Sequence, residues 1–87
     1  MKAKIENADI RGHEIKTNKK GEQYILVRYE DETGKPEVLI DKEMTRAEYY
    51  KRGTIMDLYI DIVSGRTRDG QSYTNVKLID ARVTGKE

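Results

Sequence analysis

The stretch Met56–Ile62 alternates between apolar and polar positions, and this pattern constrains the fold more than any other feature of the sequence. Met56, Leu58, Ile60 and Ile62 are the apolar positions, and two aspartates and a tyrosine lie between them. A period of two places alternate side chains on opposite faces of a β-strand. The sequence therefore predicts a half-buried strand over about residues 54–64.

The rest of the chain shows similar alternation, interrupted by the turn sequences TNKKG, DETGKP and GRTRDGQ. The other predicted strands are Lys2 to about Ile15, Glu22–Glu30, Glu37–Asp41 and Ser72–Val83. Gly12 is expected to form a kink or a bulge in the long first strand.

One segment departs from the alternation. Thr45–Glu48 reads TRAE, which is a capping-box sequence for the start of a helix, and Gly53 is suited to end one. The sequence therefore predicts one short helix over about residues 45–52, between the third and fourth strands.

The order β-β-β-α-β-β predicts a single all-β domain over residues 1–87. A small sheet with so little helix cannot cover its apolar face while it stays flat, so we expect it to curl into a barrel. Five strands with a helix between the third and fourth follow the order of an OB-fold, and we predict a small five-stranded OB-fold-like barrel. An SH3-like barrel is the alternative, but it usually lacks that helix.

Several functional classes find no support in the residues. The chain has one histidine, His13, and no cysteine, and its glycines do not form a phosphate-binding loop. We therefore expect no catalytic activity, no metal or other cofactor, and no small-molecule substrate. The lack of cysteine fits a cytoplasmic setting. No apolar run approaches the ~20 residues that cross a bilayer, so we expect no membrane span.

Charge is balanced overall but unevenly distributed. The chain carries 17 basic and 16 acidic side chains, which gives no global argument for nucleic acid. Residues 11–20 and 65–77 are nevertheless net basic, whereas residues 30–48 are net acidic. Two basic segments and one acidic segment predict a polarised surface.

The aromatic residues are unusual because all six are tyrosines. A buried tyrosine must find a partner for its hydroxyl, whereas an exposed tyrosine offers a ring on which an unpaired base can stack. Lysine and arginine beside such rings can neutralise phosphates. The candidate nucleic-acid-binding residues are therefore Lys16, Lys19, Lys20, Tyr24, Arg28, Arg66, Arg68 and Tyr73.

Three segments of the chain resemble a known family. KGEQYILVRYEDETGKPEVLI, RGTIMDLYIDI and GQSYTNVKLIDARV are similar to the helix-destabilising single-stranded DNA-binding proteins of filamentous phages, the gene V protein type. The shared features include the glycine three residues before Tyr24, the strand that contains VLI, and the helix-like segment that ends at Gly53. The resemblance covers about Lys16 to the C-terminus, and the first strand matches poorly.

The resemblance implies a five-stranded OB barrel, a homodimer, and cooperative coating of single-stranded DNA with little sequence preference. It implies that Tyr24 stacks on a base and that Lys16, Lys19 and Lys20 form the basic side of the loop. Binding of RNA is left open. Where the family has an aromatic residue near the tip of the second hairpin, this chain has RTRDG, with Tyr73 just beyond.

A protein-interaction module of OB or SH3-like type is the alternative function. In that case an acidic face would meet a basic partner, and the tyrosines would form a protein contact patch. The acidic residues of that face would be Glu30, Asp31, Glu32 and Glu37.

Overall fold

A computed structural model of the chain describes residues 1–86, and its five strands form one antiparallel sheet. The strands are β1 (Lys2–Thr17), β2 (Gln23–Glu30), β3 (Pro36–Asp41), β4 (Thr54–Arg66) and β5 (Ser72–Lys86). One 3₁₀-helix, Met44–Tyr49, lies between β3 and β4. The prediction of an all-β chain with five strands and one short helix at this place is therefore confirmed.

The sheet order is β3-β2-β1-β4-β5, and the long strand β1 serves two neighbours. Its second half pairs with β2, from Asp9 opposite Glu30 to Thr17 opposite Gln23. Its first half pairs with β4. The register shifts at Gly12, where the sequence predicts a bulge, and such a bulge bends the strand and increases its twist.

The sheet is curled but not closed. β3 and β5 are its two edge strands, and the curl brings some of their Cα atoms within 8 Å of each other. No ladder of backbone hydrogen bonds joins these two edges within residues 1–86. A seam therefore remains between them, and the predicted barrel is not closed by backbone pairing.

The core consists of alternate residues on the inner face of the curled sheet. Ile25 and Val27 of β2 and Met56 and Leu58 of β4 are at most 1 % exposed. Full burial of such a side chain stabilises the fold by about 1.5–3 kcal/mol. The intervening residues of β2, including Tyr24 and Arg28, must therefore lie on the outer face.

Two of the six tyrosines belong to the core. Tyr29 is 5 % exposed and Tyr50 is fully buried. The hydroxyl of Tyr50 donates a hydrogen bond to Asp41 Oδ2 at 2.6 Å, so its polar group is satisfied inside the protein.

The predicted helix is shorter than expected and is capped differently. It ends at Tyr49 rather than near residue 52, and it is a 3₁₀-helix. The cap is Glu43, whose carboxylate accepts hydrogen bonds from the N–H and the hydroxyl of Thr45. The expected cap, Thr45, is therefore a donor here and does not cap the helix.

Asp41 fixes this helix against the end of β3. Its buried carboxylate accepts two hydrogen bonds from Arg46, at 2.7 and 2.9 Å, besides those from Tyr50 and from the N–H of Glu43. Burial raises the pKa of Asp41, but these donors outweigh burial and hold the pKa below its usual value. The same cluster fixes the backbone that carries the next residue, Lys42.

Candidate nucleic-acid interface

The β1–β2 turn, residues 18–22, is organised by Asn18 and Gly21. The N–H of Asn18 bonds the carbonyl of Glu22 at 2.9 Å, and its side-chain oxygen accepts from the N–H groups of Lys20 and Glu22, also at 2.9 Å. Gly21 adopts a φ of 82°, which a residue with a Cβ rarely takes. Neither lysine side chain takes part in these bonds.

Lys19 and Lys20 are exposed and have no acidic partner. No carboxylate of residues 1–86 forms an ion pair with either of them. Their charges are therefore available to an anion from outside the chain.

Lys16 and Tyr24 are directly opposite each other on β1 and β2, at the base of this turn. Directly opposed residues on one face of an antiparallel pair have Cβ atoms about 4.5–5.5 Å apart. Both lie on the outer face, because Ile25, the next residue of β2, is buried. The structure thus places a partly exposed aromatic ring beside a lysine, and two more lysines follow in the turn.

Arg28 lies on the same outer face but is engaged by an acid. Four residues along a strand separate it from Tyr24 by about 13 Å. Its guanidinium donates to Glu14 Oε1 at 2.7 Å, and Lys16 Nζ lies 3.6 Å from Glu14 Oε2. These two cations, Arg28 foremost, hold the pKa of Glu14 below its usual value. Glu14 therefore competes with any phosphate for both cations.

Arg66 is the last residue of β4, and Arg68 lies in the β4–β5 turn, residues 67–71. Both are exposed, and neither forms an ion pair with the described residues. Tyr73 is directly opposite Gly65 and is 43 % exposed. A Cβ at Gly65 would lie only 2.5 Å from the Tyr73 hydroxyl oxygen, so the ring packs on the glycine backbone. One side of this ring is therefore covered by the hairpin itself.

The two basic turns lie at opposite ends of the sheet when its strands are followed by register. The β1–β2 turn follows the C-terminal end of β1, whereas residues 63–66 of β4 extend beyond the N-terminal end of β1 and pair only with β5. The residue before them, Ile62, still exchanges backbone hydrogen bonds with Met1. The eight candidate residues therefore form two groups. One group is Lys16, Lys19, Lys20, Tyr24 and Arg28, and the other is Arg66, Arg68 and Tyr73.

The curl of the sheet brings the first group close to residues of β5, which the register of the strands alone does not show. One cleft of about 390 Å³ lies against Asn18, Glu22, Gln23, Tyr24, Ile40 and Lys42. A second groove, lined by Ile40, Lys42 and five consecutive residues from Asn75 to Ile79, lies between β3 and β5. Ile40 and Lys42 belong to both, so the two depressions adjoin.

Ile40, Lys42 and Lys77 are not among the site residues predicted from the sequence. Ile40 lies between buried Leu39 and Asp41, so strand alternation places it on the outer face. Lys42 follows Asp41 directly, and the same alternation could have identified it. The role of Lys77 depends on β5 lying beside β3, which no local sequence pattern predicts.

His13 has a structural contact. Its Nδ1 lies 2.7 Å from the carbonyl oxygen of Tyr50, so the ring links β1 to the segment after the 3₁₀-helix.

No family model, curated protein or solved structure matches this chain. Within residues 1–86, no helix has the length and apolar character that crossing a membrane requires.

Proposed function

We propose that this chain binds single-stranded nucleic acid, with DNA as its principal ligand and little preference for base sequence. The observation that carries the proposal is the β1–β2 hairpin. Its two turn lysines have no acidic partner among the described residues, and they lie just beyond the opposed pair Lys16 and Tyr24.

The chemistry of this hairpin suits unpaired strands. Lysines neutralise phosphates, which recur along every strand whatever its sequence. A tyrosine ring stacks on any unpaired base, because every base has a π-face, and one such stack contributes about 1–3 kcal/mol. A duplex keeps its bases stacked on one another, so it cannot use Tyr24 in this way.

The fold supports an OB-type interpretation. The strand order, the short helix between β3 and β4, and the approach of β3 to β5 are features of OB-folds. OB-folds bind oligonucleotides on the face of strands 2 and 3 and with the loops that follow strands 1 and 4. Those loops correspond to the two basic turns of this chain. Together with the resemblance to the phage gene V protein type, this supports a role in coating single-stranded DNA during replication.

We also propose a symmetric homodimer, which the phage resemblance implies. The part of the β4–β5 hairpin that extends beyond β1 exposes Val63 and Val76, at 40 % and 39 %. Exposed apolar residues of this kind are frequent in interfaces between copies. Sedimentation at tens of micromolar, a range suited to weak association, should give a dimer, and a monomer would contradict the proposal.

The alternative, an acidic protein-binding face, is less well supported by the contacts. Glu30 pairs with Arg11 at 3.0 Å, and Glu37 lies 3.3 Å from Lys35. Asp31 Oδ1 accepts the hydrogen bonds of its own turn. Much of this acidic charge is therefore neutralised or engaged within the chain.

A salt titration tests the proposal. Labelled oligo(dT) should bind much more tightly than a duplex of the same length, and the logarithm of its affinity should fall steeply with the logarithm of salt concentration. Equal affinity for the duplex would contradict the stacking part of the proposal. No binding of either ligand would leave the protein-interaction module as the better function.

Tyr24→Ala separates stacking from charge. We expect oligo(dT) binding to weaken by about 1–3 kcal/mol with almost no change in salt slope, because one stack is lost and no phosphate contact is. Tyr49→Ala is the control, since Tyr49 is also exposed, at 47 %, but lies on the 3₁₀-helix. A lower melting temperature with unchanged affinity would show that Tyr24 only packs on the surface of the sheet.

A further inference from the structure

The groove between the free edges of β3 and β5 has no ligand in the proposed function, and of its lining only Val76 also belongs to the surface proposed for the dimer contact. Its volume is about 390 Å³, within the ~300–1,000 Å³ of small-ligand sites. Leu78, only 8 % exposed, lies at its base.

The apolar part of the groove is open to solvent. Ile40 is 44 % exposed, Val76 is 39 % exposed and Ile79 is 46 % exposed. Ile79 is the extra residue of a bulge, since Asp80 is opposite Tyr59 whereas Leu78 is opposite Ile60. Bulges often redirect a side chain beside a functional site. This one leaves Ile79 without a partner on β4, at the wall of the groove.

The charged part of the groove is exclusively basic. Lys42 and Lys77 line it, together with the amide side chain of Asn75, and the lining contains no acidic residue. Neither lysine forms an ion pair within residues 1–86. An occupant with an apolar flat part and a negative charge, as in an unpaired nucleotide, matches both halves of this lining.

The spacing of the strands argues against a peptide strand as the occupant. Where they approach, Cα atoms of β3 and β5 lie within 8 Å. A strand inserted between them would hold them about 9.5 Å apart, which is twice the usual strand spacing. A base enters such a seam from outside and needs no backbone ladder.

We propose that this seam groove binds one unpaired nucleotide of the same single strand that stacks on Tyr24. The base lies against Ile40 and Ile79, and Lys42 and Lys77 neutralise the adjoining phosphates. Ile40 and Lys42 also line the cleft beside Tyr24. The bound nucleic-acid strand therefore runs from the β1–β2 turn across the end of β3 to β5. The inference rests on the proposed function and adds a path to it.

The double variant Lys42→Ala/Lys77→Ala tests the path. Each lost phosphate contact should make the salt slope shallower by about 0.7, so at 0.1 M salt the affinity for oligo(dT) should fall about 25-fold. The matched control is Lys51→Ala/Lys86→Ala, which removes the same charge from a different depression of the surface. The control should lose less than about threefold, because only the general field of the protein changes.

Amide chemical shifts of the wild-type chain give a second readout. Oligo(dT) should shift the signals of Lys42 and of Asn75–Ile79 besides those of the β1–β2 turn. Suppose that the wild-type chain binds oligo(dT), that Lys42→Ala/Lys77→Ala loses no more affinity than its control, and that these signals do not shift. The groove inference is then wrong and the proposed function stands. If the wild-type chain does not bind oligo(dT), the proposed function fails first.

Ile79→Asp distinguishes a nucleotide from a second copy of the chain. We expect the variant to weaken oligo(dT) binding at least tenfold without changing the sedimentation coefficient. Dissociation of an assembly with unchanged oligo(dT) affinity would show that a second copy covers the groove, and would overturn the proposal.

Discussion

The β1–β2 turn and the β2–β3 turn have the same backbone and opposite charges. In both, the first residue bonds the fifth through its N–H, and the fourth is a glycine with a φ of 82°. Asn18 in one turn and Asp31 in the other accept from the N–H groups two and four residues later, in each case at 2.9 Å.

The central positions give the two turns their opposite charges. Lys19 and Lys20 occupy the second and third positions of the first turn, and Glu32 and Thr33 occupy those of the second. The β4–β5 turn repeats the hydrogen bonds of the main chain with Arg68 and Asp69 at these positions. The geometry therefore requires an acceptor at the first position and glycine at the fourth, and leaves the middle residues free. The backbone of the turn does not require the two lysines, which agrees with the proposal that they bind phosphates.

The strongest test gives the first turn the middle residues of the second. Lys19→Glu/Lys20→Thr should reduce oligo(dT) affinity at least about 25-fold at 0.1 M salt, since two phosphate contacts disappear and a negative charge replaces them. The melting temperature should stay within about 4 °C, because exposed substitutions away from special features change stability by less than about 0.5 kcal/mol.

The reciprocal variant Glu32→Lys is the control for that test. It places a lysine on the same backbone geometry at the other turn. We add it to the Lys19→Glu/Lys20→Thr variant. If it restores the oligo(dT) affinity, any basic turn suffices, and the location of the lysines beside Tyr24 is not required. We expect no restoration.

Substitution of the turn glycines should give the next largest effect, a loss of thermal stability. A Cβ at Gly21 or Gly34 would meet nothing within 4 Å, so alanine there would add only the backbone cost of the left-handed conformation. That cost is about 1–2 kcal/mol, or roughly 4–16 °C in melting temperature for a domain of this size. Thermal melts should show equal losses for Gly21→Ala and Gly34→Ala. Clearly unequal losses would show that the turns are not equivalent.

The comparison of the turns also shows which features can be predicted from the sequence and which cannot. Turn chemistry and alternation are local, so the strands, the turns and the outward side chains of β2 followed from a few residues each. The helix was misjudged because buried Asp41, with Arg46 and Tyr50, holds a tight 3₁₀ segment in place. The predicted barrel implied that β5 comes near β3, but the open seam and the residues that line it depend on long-range packing, which alternation does not predict.

Substitution of Glu14 should have a smaller effect of opposite sign, namely tighter binding of oligo(dT). Glu14→Gln removes the acid that engages Arg28 and Lys16, so both cations become available to phosphates. We expect oligo(dT) to bind up to about fivefold more tightly at 0.1 M salt, with a steeper salt slope. Glu48→Gln, on the 3₁₀-helix, should leave the affinity unchanged. Weaker binding after Glu14→Gln would mean that Glu14 positions Arg28 for the ligand.

The smallest effect concerns acid pH, which should separate two otherwise equal turns. The hydroxyl of Thr33, followed by the N–H of Lys35, holds the pKa of Asp31 below its usual value, whereas Asn18 does not titrate. Because the folded-state pKa is lowered, the contribution of Asp31 is fully present above its unfolded pKa of about 3.9. It is lost as the pH falls through the lower folded value.

Amide chemical shifts measured from pH 6 to pH 2 check this. The signals of Thr33 and Lys35 should move as Asp31 takes up its proton, while those of Lys20 should move little. Asp31→Asn gives the second turn the same first residue as the first turn, so it should remove the pH-dependent shift and keep the turn. If the shift persists in that variant, another acid causes it, and the difference between the two turns is one of surface charge alone.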